Sequence, residues 1–378
     1  MALLAPILAG QTTATVKGKI TDLLNYGLGM GQGDGLASWG AARTKLNTLA
    51  GQVDGQTFAD REAGSSVRSK INALIPALGL DLNATMLLDF TKNRYWIGGP
   101  SAAPAVVRQT RKFDFNDAGV LTEYAPNVLA RNSQGALLER AGTNIARMSD
   151  RPNASPWSAS RMTVAPDVAV APDGTQSADN LIPGLGQSGY IRQNAASTFS
   201  VGETYTWSCF IRSSGISEWN MLTTASTIVD NATVRFSLLT GTVSSVQGDV
   251  INSGIIDVGG GWYRAWFSFV AGVASGIIQT GTLGSGESDG VKGAYLWGSQ
   301  IDVGPTPTSY IPTTTAAADR AADLLTIPLG TWYGNGQGQL LLDGTPTAPA
   351  IANNALDVCA SLWAAGKTRL GKLAWVPA

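Results

Sequence analysis

No histidine occurs in the 378 residues, and this narrows the available chemistry. A serine or cysteine nucleophile has no imidazole base here, and histidine-ligated zinc is excluded. Proton transfer near neutral pH falls to carboxylates, lysine, tyrosine or oxygen-bound metal. Two carboxylate pairs have a spacing that could do acid–base work, Asp114 with Asp117 and Glu287 with Asp289. Both lie in turn-rich stretches where Asp and Asn are ordinary turn formers, and neither has the D-x-D-x-D-G spacing of a calcium loop. They read as turns. The run from Gly27 to Gly35 alternates glycines as phosphate loops do. It follows a helix-like stripe and no Gly-Lys-Ser/Thr comes after it, so it reads as a joint. Cys209 and Cys359 belong to no C-x-x-C pattern; they read as free thiols, with a disulfide between them unsupported. No cofactor or metal is expected.

Binding is the chemistry that remains. A saccharide site needs an exposed aromatic plate for the apolar face of a pyranose and fixed polar groups for its hydroxyls. Trp219 lies in the polar stretch Ser217-Glu218-Trp219-Asn220, Tyr190 with Arg192 borders another, Arg212 ends a strand-like run, and Trp262 follows Gly259–Gly261. These five residues are the ligand candidates. Trp207, Trp266 and Trp297 fall inside alternating runs and read as core, each worth on the order of 2–3 kcal/mol when buried.

The elements that must position them change character along the chain. Val16, Ile20, Leu23 and Leu24 share a helical face, as do Trp39, Ala42, Leu46, Leu49 and Val53, and then Val67, Ile71, Leu74 and Leu78. Three short amphipathic helices are predicted, the third with Ser65 or Ser66 as N-cap and limited by Pro76. From about Thr85 the period becomes two. Thr204–Arg212, Gly261–Val270 and Val291–Ile301 read as long inner strands, and Gly189–Gln193, Ala232–Leu239 and Ala271–Thr280 as shorter ones. Many strands at short spacing without intervening helices predict a mainly β fold, an antiparallel jelly-roll sandwich. The Gly/Pro/Ala-rich tail offers strands at Gly338–Leu342 and Leu370–Trp375 and a helical stretch at Asn354–Ala365.

Composition excludes several classes. Lys and Arg number 26 against 27 Asp and Glu, a net charge of −1, which is not the clustered basic field that nucleic acid requires. A hydrophobic share of 44% is too high for a disordered chain. No apolar run reaches the roughly 18 residues of a spanning helix, so no membrane partner is expected. Met1–Gly10 lacks the basic start of a signal peptide.

Several ordered motifs resemble a known family. Gly135-Ala-Leu-Leu-Glu-Arg-Ala-Gly-Thr-Asn144 resembles the "LLIEGARTNL" signature of bacteriophage fibre and virion surface proteins. Tyr295-Leu-Trp-Gly-Ser-Gln-Ile-Asp-Val-Gly304, Thr308-Ser-Tyr-Ile-Pro-Thr-Thr-Thr315 and Asp319-Arg-Ala-Ala-Asp323 are similar to that family's "WGAQLE…TSYIPT…TRAAD" ending. Leu88-Asp-Phe90, Phe113–Gly119, Ala125–Arg131, Asn153–Trp157, Ala171–Asp179 and Gly261-Trp-Tyr-Arg264 also fit, so the resemblance spans roughly residues 85–325. It implies a lectin-like, carbohydrate-binding β-sandwich carried on a phage or gene-transfer-agent particle. Gly330–Gly338 resembles the opening of a second such domain and Arg369–Trp375 its closing strand, with too little between them.

The resulting expectation has three parts: residues 1–84 as a helical particle-attachment and oligomerisation module, 85–328 as the lectin-like sandwich, and 329–378 as the remnant of a second lectin-like domain. The chain is expected on the virion surface after synthesis in the bacterial cytoplasm. Its partners would be host-surface polysaccharide, other virion structural proteins through the N-terminal module, and copies of itself, a trimer by fibre precedent with a pentamer open. Without a β-helix repeat period or an evident acid pair it is expected to be non-enzymatic. The opposing readings are an architectural head or tail protein that binds no glycan, and a capsule depolymerase.

Overall fold

The computed structural model describes residues 13–28, 38–53, 56–59, 61, 63–77, 86–97, 104–195, 199–224, 231–282, 288–327, 338–346 and 367–377. The chain divides into two compact units. One comprises Met1–Val107, Asn127–Leu138 and Leu324–Ala378, and the other Arg108–Pro126 and Glu139–Asp323.

In the first unit, helices α1 (Thr13–Leu28), α2 (Trp39–Val53) and α3 (Gly64–Ala77) form on the three apolar stripes. Ile20, Leu23 and Leu24 of α1, Ala42, Leu46 and Leu49 of α2, and Ile71 and Leu74 of α3 are buried in a common cluster. Leu78 and residues 29–35 of the glycine run lie outside the described residues. Ser38 caps α2, its Oγ accepting the Ala41 N–H at 3.3 Å. α3 begins earlier than its serines suggest. The Val67 N–H closes onto the Ala63 carbonyl, which puts Ser65 and Ser66 inside the first turn. Asn47 fixes Phe58 in the cluster, its Nδ2 donating to the Phe58 carbonyl at 3.1 Å and its Oδ1 accepting the Phe58 N–H at 2.6 Å. A sheet follows in the order Arg94–Ile97, Met86–Asp89, Lys367–Pro377, Gly135–Glu139, Arg131–Asn132, with Gly338–Pro346 also on Lys367–Pro377. The last strand of the chain thus pairs with the first, Met86 opposite Trp375 and Asp89 opposite Lys372. The Asn354–Ala365 stretch lies outside the described residues.

The second unit is a sandwich of two six-stranded antiparallel sheets. The front sheet runs Met162–Val170, Gln176–Pro183, Gly293–Val303, Thr204–Ser214, Trp262–Val270, Asn252–Gly259. The back sheet runs Thr242–Gln247, Ala232–Ser237, Glu218–Thr223, Gly276–Gly281, Tyr190–Ala195, Ser158–Ser160. Gln176–Pro183 pairs with Gly293–Val303, the last strand of the series. The next strand, Tyr190–Ala195, pairs with Gly276–Gly281, the one before last. This first-to-last nesting, with the chain passing repeatedly between the sheets, is a jelly roll.

Period two explains the packing. Tyr205, Trp207, Cys209 and Ile211 enter one core with Trp219, Met221, Val234, Phe236 and Ile278 of the back sheet. Trp207 meets Phe267 edge-on at 5.8 Å, and Phe199 meets Tyr205 at 5.0 Å. The alternate residues of the same strand are also covered, because a hairpin of Lys112–Phe115 and Leu121–Tyr124 brings Phe113 against Tyr310 and Phe115 against Phe210. Phe210, Trp262, Trp297 and Tyr310 form a second apolar cluster there. Gly298 makes that layer fit. Its φ is 64°, and a Cβ would lie 2.7 Å from the Phe210 ring.

The motif residues hold this unit closed. Asn144 donates to the carbonyls of Ser299 and Ile311 and accepts the N–H groups of Ala146 and Ile301. Gln300 donates to Thr308 Oγ1 and the Ser309 carbonyl and accepts from Ile311 N–H. Arg264 reaches the Thr308 carbonyl at 2.7 Å and Ser208 Oγ at 3.0 Å. Asp323 takes Arg108 at 2.7 Å and Lys112 at 2.5 Å, Lys112 also meets Glu139 at 3.1 Å, and Arg320 lies 3.8 Å from Glu139. All five charged side chains are buried, so each charge depends on the others for what water would otherwise supply.

Candidate ligand-binding site

Three turns and two side chains of the second unit enclose a pocket of about 290 Å³. The turns are 118–120 in the covering hairpin, 170–174 between two front-sheet strands, and 258–260 before Trp262. Each is held from within. Asn116 Oδ1 accepts the N–H groups of Ala118 and Val120, and the Leu121 N–H donates to the Pro172 carbonyl, tying the first turn to the second. Asp257 Oδ1 accepts the Gly259 N–H at 2.8 Å. Gly259, Gly260 and Gly261 all take positive φ (91°, 61° and 77°), a path that only glycine follows without strain, and it leaves this rim free of side chains.

The two side chains are Arg212 and Trp262. Trp262 is only 4% exposed, and its indole N–H is anchored on the Val170 carbonyl at 3.1 Å. Arg212 is half-buried at the end of its strand, directly opposite Tyr295 in register. Its guanidinium carbon lies 5.0 Å from the Trp262 ring centre and 4.7 Å from that of Tyr295, close enough for cation–π attraction to both. Among the described residues Arg212 makes no ion pair, and no carboxylate lines the pocket. The arrangement can receive a planar or ringed ligand against apolar walls with one cationic fork at the edge.

Of the five candidate residues the fold brings two together, Arg212 and Trp262. Tyr190 and Arg192 stand on the back sheet opposite Ser160 and Ser158, Tyr190 half-buried and Arg192 exposed. Trp219 is a correction. It is 0% exposed in the core between the sheets, with its indole N–H on Thr280 Oγ1 at 2.6 Å, so it offers no plate to a sugar. Its polar neighbours Glu218 and Asn220 misled because alternation turns them to the opposite face. Tyr295 is the partner that the candidate set lacked. Its signal was alternation with Leu296, which enters the core and so sends Tyr295 outward.

Of the carboxylates read as turns, Asp289 behaves as one, whereas Asp114 sits inside the strand Lys112–Phe115, opposite Thr122. Asp289 Oδ1 accepts the N–H groups of Val291 and Lys292, and these bonds hold its carboxyl below the ordinary range. Glu287 lies outside the described residues. Asp114 is buried in the covering hairpin. No group of three His, Cys, Asp or Glu able to hold a metal occurs among the described residues. The Asp179 carboxyl is pushed up to about 6 by burial, against the lowering effect of the Asp167 and Asn153 N–H groups it accepts. Cys209 is free and buried, and burial pushes its thiol up to about 12.

No family model matches the chain. No curated protein matches it. Among solved structures it is similar to the enzymatically active domain of tailspike protein 4 from bacteriophage CBA120, at 12% identity and a TM-score of 0.28, over 42% of this chain and 21% of that one. The match therefore spans about a fifth of the tailspike chain. The expectation that this chain is not an enzyme is corrected against that match, whose partner is an active enzyme domain. At this degree of likeness no catalytic residue transfers from one chain to the other.

Proposed function

We propose that the chain is a surface protein of a phage or phage-like particle, and that its jelly-roll unit binds host-surface polysaccharide in the pocket of Arg212 and Trp262. The observation that carries the reading is the pocket itself: an indole and a guanidinium held against each other beside a rim of three left-handed glycines. Polysaccharide chains approach such a rim closely because no side chain stands in the way. The resemblance of the Gly135–Asn144 and Tyr295–Asp323 motifs to phage fibre proteins supplies the setting. The three-helix region of the first unit is the attachment module in this reading. Self-association would raise the avidity of individually weak sugar contacts.

The test is retention of the purified full chain on immobilised host polysaccharide, with wild type compared with Gly260→Trp, which fills the rim. Reducing-end release is followed in the same incubation. Retention lost in the rim variant supports the pocket, and equal retention overturns it. Sustained sugar release from the wild type, abolished by the same variant, would make the pocket part of a depolymerase.

A second reading is favoured by one observation. The motif residues Glu139, Asn144, Gln300, Thr308, Arg320 and Asp323 are buried and spent on internal fastening, as an architectural decoration or adaptor protein requires. Particles that lose integrity when the chain is deleted, together with no retention on polysaccharide, would favour it.

A further inference from the structure

We propose that the pocket selects an acidic saccharide residue, a uronate or a sugar phosphate, over its neutral counterpart. The inference rests on the glycan-binding reading above and adds the charge class of the ligand.

The argument starts from what Arg212 lacks. Its guanidinium packs over the rings of Trp262 and Tyr295, yet among the described residues it has no carboxylate partner and lines a pocket without an acid. Three other arginines of the unit are neutralised or hydrogen-bonded: Arg108 by Asp323, Arg111 by Glu123, Arg264 by the Thr308 carbonyl. The aromatic faces attract a cation but do not cancel its charge, and the N–H edge of the fork is left for a ligand. Arg presents paired donors that match a carboxylate or phosphate, and a charge-assisted pair is about twice as strong as a neutral one. The walls around it, Val120, Val170, Ala171 and Val258, are apolar. They reward the ring body of a sugar and lower the local polarity in which the ion pair forms. Trp262, locked on the Val170 carbonyl, cannot swing away and so keeps the guanidinium in place.

The test uses three probes of one ring type, glucuronate, glucose 6-phosphate and glucose, titrated into the full chain. The Trp262 indole N–H resonance is followed by NMR, at 50 and at 500 mM NaCl. The expected result is that glucuronate, glucose 6-phosphate or both bind at least tenfold more tightly than glucose, about 1.4 kcal/mol. High salt should erase most of that preference, because a half-exposed pair is screened. Arg212→Gln should bring the three probes within about twofold. Comparing glucuronate with glucose 6-phosphate separates carboxylate from phosphate recognition. Equal, salt-insensitive binding of glucose and the acidic probes would overturn the charge inference and leave glycan binding standing. No shift with any probe would remove both. The salt series needs no variant, so a misfolded Arg212→Gln would not spare the proposal.

Discussion

The Arg108 guanidinium donates to Asp323 at 2.7 Å across 215 positions of sequence, and neither side chain touches water. The same carboxylate accepts Lys112 and the Glu139 N–H. One acidic residue at the end of a motif therefore fastens the covering hairpin to the Glu139 backbone. Removing it strips buried Arg108 of its carboxylate and leaves Lys112 with Glu139 alone, and breaking a buried pair typically costs about 3–5 kcal/mol. Asp323→Ala should lower the denaturant midpoint accordingly, with an unchanged slope. Chemical unfolding followed by tryptophan fluorescence reads both, and a midpoint within error of wild type would show that the network contributes nothing.

Cys209 should be unreactive in the folded protein. In a Cys359→Ser chain, Cys209 is the sole thiol and sits in the core between Trp207 and Ile211 with its thiol pushed up to about 12. Thiolate is the reactive form. At pH 8 an aromatic disulfide reagent should leave the native protein unlabelled and count one thiol after guanidinium is added. Rapid native labelling would place Cys209 at the surface and contradict the strand's orientation.

The sheets of the jelly roll were legible because Thr204–Ser214, Trp262–Val270 and Gly293–Val303 alternate clearly enough to declare both strand and face. The helices were equally legible from their stripes. Trp219 failed because local polarity says nothing about which sheet lies opposite; Phe236 beside it and Thr280 at its nitrogen come from far along the chain. The pairing of Met86–Asp89 with Lys367–Pro377 is likewise a long-range event without a local signature. Arg212 and Trp262 could each be named from sequence. Their meeting depends on register between neighbouring strands, and alternation alone does not fix register.

Asp179 gives the second unit a pH signature. Its folded value of about 6 stands above the ordinary 3.8, so its contribution to stability is fully present below pH 3.8 and is lost as pH rises through 6. The span corresponds to about 3 kcal/mol. Asp289, held below 3.8, acts with the opposite sign and only below that pH, while Asp150 and Asp302 are raised like Asp179, so the useful quantity is the difference between wild type and Asp179→Asn. That difference should move in favour of the wild type by about 2 kcal/mol from pH 7 to pH 4. Thermal melts at half-unit steps measure it, and a difference independent of pH would mean that Asp179 titrates normally.

Trp219 and Gly298 test the packing from opposite sides. Trp219→Ala empties the centre of the core and orphans Thr280 Oγ1 as an acceptor, for a loss of about 3–5 kcal/mol. Gly298→Ala adds a single methyl group, but at φ 64° and 2.7 Å from the Phe210 ring. Overpacking of this kind costs about 1–3 kcal/mol, and the left-handed backbone adds about 1 kcal/mol more. The two variants should separate in a probe readout. Trp219→Ala weakens the core between the sheets, a different apolar cluster from that of Trp262, so saccharide affinity of the folded fraction should hold. Gly298→Ala pushes on Phe210 and Tyr310, in the same apolar cluster as Trp262, so affinity should fall along with stability. Equal affinity in both variants would show that the layer beneath the pocket does not position its indole.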